Sequence, residues 1–95
     1  MDLMEMTTFL HRRLDEMERQ VWRDLISEYP GTFNRADQEC RRWLQGRALG
    51  VEVFGDIKLW RHIVDACYMA GDDSEDVRAV AAKWADHPDY DPAWA

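Results

Sequence analysis

A chain of 95 residues, 46% hydrophobic and 33% charged, is long enough for one modest core and too apolar to be a disordered segment. Its net charge of −7 repels phosphate backbones, so general nucleic-acid binding is not expected. No apolar run approaches the roughly 20 residues of a membrane span, and the opening Met1-Asp2-Leu3-Met4-Glu5 lacks the basic flank of a signal peptide, so a single cytoplasmic domain is expected.

The charge is uneven. Residues 72–95 hold seven acids against two bases and supply five of the seven net negative charges, whereas residues 30–50 hold four arginines and two acids. The chain reads as all-α: a small bundle of four helices, at about 7–29, 34–49, 56–70 and 74–85, followed by an extended, proline-containing tail over 86–95.

Thr7 or Thr8 is the expected cap of the first helix, and Pro30-Gly31 its end. Met6, Leu10, Leu14, Met17, Val21 and Leu25 follow three-four spacing and form one stripe, which widens beyond Val21 through Trp22, Ile26 and Tyr29. Some 22 residues of helix is long for so small a domain. The spacing therefore makes Leu3, Met6 and Leu10 a candidate homodimer face.

Asn34 is the expected cap of the second helix, with Asp37 in its first turn. Arg35 and Arg42 lie opposite its apolar side, and Arg47 falls on that side, to be resolved by snorkelling or by a carboxylate from elsewhere. Gly50-Val51-Glu52-Val53-Phe54-Gly55 reads as a short extended connection. The third helix is apolar round most of its circumference, apart from Lys58, Arg61, His62 and Asp65, and is expected to be the central, most buried element, stopped by Gly71. Asp73 or Ser74 caps the fourth. Each helix carries one tryptophan and the tail a fifth, a pattern that predicts one shared aromatic core.

The inventory of chemistry is thin. There is no Gly-rich phosphate loop, no paired-cysteine motif and no H-E-x-x-H, and Cys40 and Cys67 read as buried thiols. Asp72-x-Ser74-x-Asp76 opens like a calcium loop, but Val77 stands where glycine is required and Lys83 where the bidentate glutamate belongs. His62 and Asp65 read as a surface pair. Asp15 and Glu18 have the E-x-x-E-like spacing of magnesium-binding hydrolases without a matching pair on the third helix. No cofactor, metal or catalytic residue is assigned, and the chain is not expected to be an enzyme.

The tail Ala85-Asp86-His87-Pro88-Asp89-Tyr90-Asp91-Pro92-Ala93-Trp94-Ala95 is the most distinctive segment. Proline biases the residue before it towards extended backbone, so His87 and Asp91 make the tail a stiff strap with two aromatic anchors, Tyr90 and Trp94. The strap is expected to dock in an apolar groove beside the fourth helix; the competing reading is a free recognition peptide. His87, Asp89, Tyr90, Asp91 and Trp94, with Asp72, Asp73, Glu75 and Asp76, form the candidate interaction surface.

The head Phe9-Leu10-His11-Arg12-Arg13-Leu14-Asp15-Glu16 and the tail from Ala85 to Tyr90 with Trp94 resemble a family of small proteins from actinobacteria and their phages, and Ile57 to Asp65 is similar to that family's middle helix. Residues 23–50 and Lys83-Trp84 depart from the pattern. The resemblance implies origin and a cytoplasmic location, and no activity. The leading expectation is a small acidic interaction protein acting on another protein, and the resemblance adds a phage origin to that expectation. The alternatives are an acidic mimic of the DNA backbone that occupies a basic groove, and a carboxylate–metal nucleotide hydrolase built on Asp15 and Glu18.

Overall fold

The computed structural model describes residues 3–95; Met1 and Asp2, the first two residues of the opening segment, lie outside the described residues. Helix α1 spans Leu3–Ser27, α2 Gln38–Leu49, α3 Glu52–Ala70 and α4 Glu75–Ala82, and a 3-10 turn covers Pro92–Trp94. No strand occurs among the described residues, so the architecture is all-α, as expected.

The long first helix is the spine. Met6, Leu10 and Leu14 are fully buried, and Phe9, Arg13 and Leu25 nearly so. Its N-terminal half packs with Val64 of α3, with Val77, Val80 and Ala81 of α4, and with Trp94 of the strap. Its C-terminal half faces α2. The proposed dimer face is therefore already covered within the chain: Met6 and Leu10 have no exposed surface and Leu3 is half-buried. The stripe is long because successive turns of α1 serve different neighbours.

The expectation that α3 is the central element is overturned. Only Ile57 and Val64 of α3 are buried, while Leu59 is 55% exposed and Met69 84% exposed. With α1 along one flank and the short α4 at another, no further element among the described residues covers the far side. An apolar circumference marks a central helix only where the chain supplies enough neighbours to surround it.

Several boundaries move for local reasons. Helix α1 begins before Thr7, which lies within it and is buried. Asp37 rather than Asn34 caps α2: its side chain accepts from the Glu39 N–H at 2.9 Å, while Asn34 Oδ1 accepts from the Ala36 N–H at 3.0 Å in the turn before. The segment read as an extended connection is the first turn of α3, leaving only Gly50 and Val51 between helices. Helical spacing there turns Phe54 onto Trp22 of α1, with ring centroids 4.7 Å apart, and that packing outweighs the β-propensity of Val53, while Val51 keeps extended backbone as the residue before the helix. Gly71 ends α3 as expected, at φ 65° with its N–H directed to the last-turn carbonyls. Ser74 caps α4 by position but makes no side-chain cap bond, its hydroxyl lying 3.4 Å from Cys67 Sγ. Helix α4 stops at Ala82, although tightened three-residue bonds continue to Ala85.

Three of the five tryptophans share one core and two do not. Trp94 packs with Phe9 and Tyr90, and Trp60 and Trp84, 6.3 Å apart, pack against the same cluster. Trp22 meets Phe54, and Trp43 meets Tyr29, which also touches Phe33. The molecule measures 48 × 26 × 20 Å, too elongated for rings at both ends of α1 to meet. Cys40 is buried, Cys67 half-buried, and both thiols are free.

The Tyr29 phenol is pushed up to about 12, first by its hydrogen bond with the Cys40 side chain, then by burial and by the electrostatic influence of Cys40, Asp37 and Glu39. The fold thus favours the neutral phenol. Its contribution to stability is present below the ordinary tyrosine value of about 10 and is lost as pH rises from there through about 12. Ultraviolet titration of phenolate absorbance should show a late component near pH 12 that Tyr29→Phe removes. A titration unchanged by that substitution contradicts the assignment.

Candidate functional site

The strap is a succession of turns rather than an extended segment, which corrects the sequence expectation. The His87 N–H reaches the Trp84 carbonyl at 2.9 Å, and the Tyr90 N–H reaches the His87 carbonyl at 3.0 Å. Pro88 sits inside that turn, at a position whose fixed φ suits it, and His87 Nδ1 accepts from the Asp89 N–H at 3.0 Å. Asp91 keeps the extended backbone predicted for it (φ −90°, ψ 120°) and caps the 3-10 turn, its carboxylate accepting from the Ala93 N–H at 2.9 Å. Pro92 opens that turn, where a missing N–H costs nothing. The prolines thus set turns, and the turns aim side chains inward.

The strap docks, as expected, but its groove lies between α1 and α4 rather than beside α4 alone. Phe9 of α1 is the hub. Its ring centroid lies 5.4 Å from His87, 6.3 Å from Tyr90 and 5.1 Å from Trp94, and Tyr90 meets Trp94 edge-on at 5.4 Å. One turn along α1, the Arg13 guanidinium lies 5.3 Å from the Phe9 ring centre, hydrogen-bonds the His87 ring, and pairs with Glu16 at 3.0 Å. Trp94 is only 4% exposed and Arg13 only 8%. The N-terminal half of α1 and the strap therefore meet through Phe9, Arg13, His87, Tyr90 and Trp94.

The predicted interaction residues now divide in two. Trp94 is consumed by docking, and His87 and Tyr90 are half-buried. Asp72, Asp73, Glu75, Asp76, Asp89 and Asp91 remain exposed. Two open depressions meet at Trp94. One, of about 570 Å³, is lined by Phe9, Arg12, Arg13, Asp89 and Asp91 among others. The second, of about 720 Å³, is lined by Asp73, Glu75, Arg78, Ala79 and Ala82 together with Trp94 and Ala95. Arg78 ties the two parts together, pairing with Asp73 at 2.9 Å and donating to the Ala95 carbonyl at 3.3 Å. The strap thus supports an acidic surface that runs past it on both sides. The sequence reading did not include Phe9, Arg13 and Arg78 in this site. For Phe9 and Arg13 the i,i+4 spacing on α1 was the available signal, but nothing local says that the tail closes on them.

Asp15 and Glu18 hold Arg61 of α3 in a two-pronged salt bridge, at 2.8 and 2.7 Å. The pair read as a possible magnesium site is thus a clamp between α1 and α3, its charge met by a guanidinium. Among the described residues, no group of three or more His, Cys, Asp or Glu side chains stands where it could hold a metal ion. Asp65 pairs with His11 of α1 at 3.0 Å, not with His62, because α3 turns that edge towards α1. Arg47 finds its carboxylate in Glu28 at 2.9 Å and lies over Trp43. No helix among the described residues is long and apolar enough to cross a membrane.

No family model, curated protein or solved structure matches this chain.

Proposed function

We propose that this protein is a non-catalytic interaction module of the cytoplasm, of actinobacterial or phage origin, whose acidic surface binds a basic patch on a partner protein. The observation that carries the reading is the docked strap. It turns a segment rich in carboxylates into a rigid platform, with Asp89 and Asp91 on one side of Trp94 and the acids opening α4 on the other. Among the described residues, Asp73 is the one of these six acids engaged by a basic side chain, that of Arg78. The shared sign of these carboxylates steers a cationic partner to one region.

The test is capture of a partner by crosslinking in host lysate, comparing the parent with Glu75→Gln/Asp76→Asn/Asp89→Asn/Asp91→Asn. Asparagine keeps the capping geometry at position 91, so the strap stays docked. The expected result is loss of the captured partner from the variant, and loss from the parent when salt is raised well above physiological ionic strength, where the Debye length is about 8 Å. Equal capture by parent and variant at both salt levels sinks the reading.

A further inference from the structure

The opposite half of the molecule has a different chemistry. Where the C-terminal half of α1 faces α2, a cleft of about 300 Å³ is walled by Trp22, Ile26, Phe33 and Leu44 and rimmed by Arg35 and Arg41. The four apolar side chains are half-buried, so each still presents surface to the cleft. The walls are braced from behind. Trp22 packs on Phe54 of α3 at 4.7 Å, and Phe33 packs edge-on against Tyr29 at 5.6 Å, which itself packs on Trp43 at 5.1 Å. Both arginines are exposed, and neither guanidinium has an ion-pair or hydrogen-bond partner among the described residues. By contrast Arg13, Arg47, Arg61 and Arg78 are all engaged.

We propose that this cleft is a second binding site, for a peptide segment of a partner protein that carries a bulky apolar side chain flanked by carboxylates. The apolar walls select the side chain. The two free guanidinium groups, whose planar forks match carboxylate geometry, select the flanking acids. The volume sits at the low end of ligand pockets, about 300–1,000 Å³, which suits one inserted side chain rather than a cofactor. The site is complementary in charge to acidic segments, the reverse of the strap surface, so the two surfaces bind different partners. This inference does not rest on the acidic-surface reading.

The experiment uses the full chain labelled with nitrogen-15 and three capped hexapeptides: an acidic one with a central Phe-Leu pair, its lysine counterpart, and the acidic one with central Ala-Ala. Titration of the acidic Phe-Leu peptide should shift and saturate the Trp22 indole and the amides of Phe33 and Leu44. The Trp94 indole should stay in place, and the other two peptides should produce no saturable shift. Arg35→Gln and Arg41→Gln, which alter exposed side chains, should each weaken binding by about two- to fivefold, the worth of an exposed ion pair. Unshifted signals at millimolar peptide, or equal binding of the lysine peptide, overturn the proposal. Saturation of the cleft by indole-3-acetate but not by the peptide overturns it in favour of a small-molecule site. Self-association in sedimentation that Arg35→Gln abolishes overturns it in favour of a second copy as the occupant.

Discussion

Trp94→Ala is expected to lower stability by about 3–5 kcal/mol, the range for removing a buried large aromatic. In a domain of this size each kcal/mol moves the melting midpoint by about 4–8 °C, so the loss is visible in any thermal scan. The magnitude follows from where the ring lies: 4% exposed, packed on Phe9 and Tyr90, and in the same cluster as Met6, Leu10, Val77 and Val80. Truncation there strands the opposing Phe9 ring and frees the strap, so the transfer and cavity costs come together. Deleting residues 86–95 should reach at least the same loss. A Trp94→Ala protein that melts with the parent would mean that the strap contributes nothing to the fold, and that its aromatic residues serve some other end.

The second large effect is expected on α1. Leu10→Ala should cost about 2–5 kcal/mol, because a fully buried leucine is cut back in a closely packed region that cannot collapse. Leu59→Ala on the outer face of α3 should stay within about 0.5 kcal/mol of the parent, as surface substitutions do. Trp60 and Ile63, half-buried, should fall between the two. Denaturant melts of the Leu10 and Leu59 variants rank the two helices directly. Equal losses at the two sites would restore α3 as the central helix and remove α1 as the spine.

The number and order of the helices were legible in the sequence because each left a strong local signal. The stripe from Met6 to Leu25, the stop at Gly71 and the acids ahead of Val77 are of this kind. Docking of the strap was legible too, since tryptophan among prolines and acids has little use for water. What lay beyond reading were features that depend on neighbours. The first turn of α3 carries the β-branched Val53 and Gly55, and the contact of Phe54 with Trp22 that supports it as helix joins distant parts of the chain. The rank of α1 over α3 depends on how many elements surround each, which no single helix records. Asp15 and Glu18 look alike whether they await a metal or an arginine, and the guanidinium that claims them is more than forty residues away. In the candidate site, the acids and the strap's aromatic rings were visible as composition. Their receptor, Phe9 with Arg13, was not, because the contact joins distant parts of the chain.

That distance bears on the order in which the protein assembles. Arg13 and His87 are separated by 74 positions, so their meeting closes a loop of that length. Closure of so long a loop carries a large entropic cost before any contact repays it, whereas the turns of α1 and its pairing with neighbours form locally. During vectorial synthesis the N-terminal half of α1 therefore emerges early and waits with Phe9 uncovered until the strap arrives. The strap is made after the turns of α1 that it covers, and a chain interrupted between Arg13 and Trp94 leaves the spine with an open aromatic face.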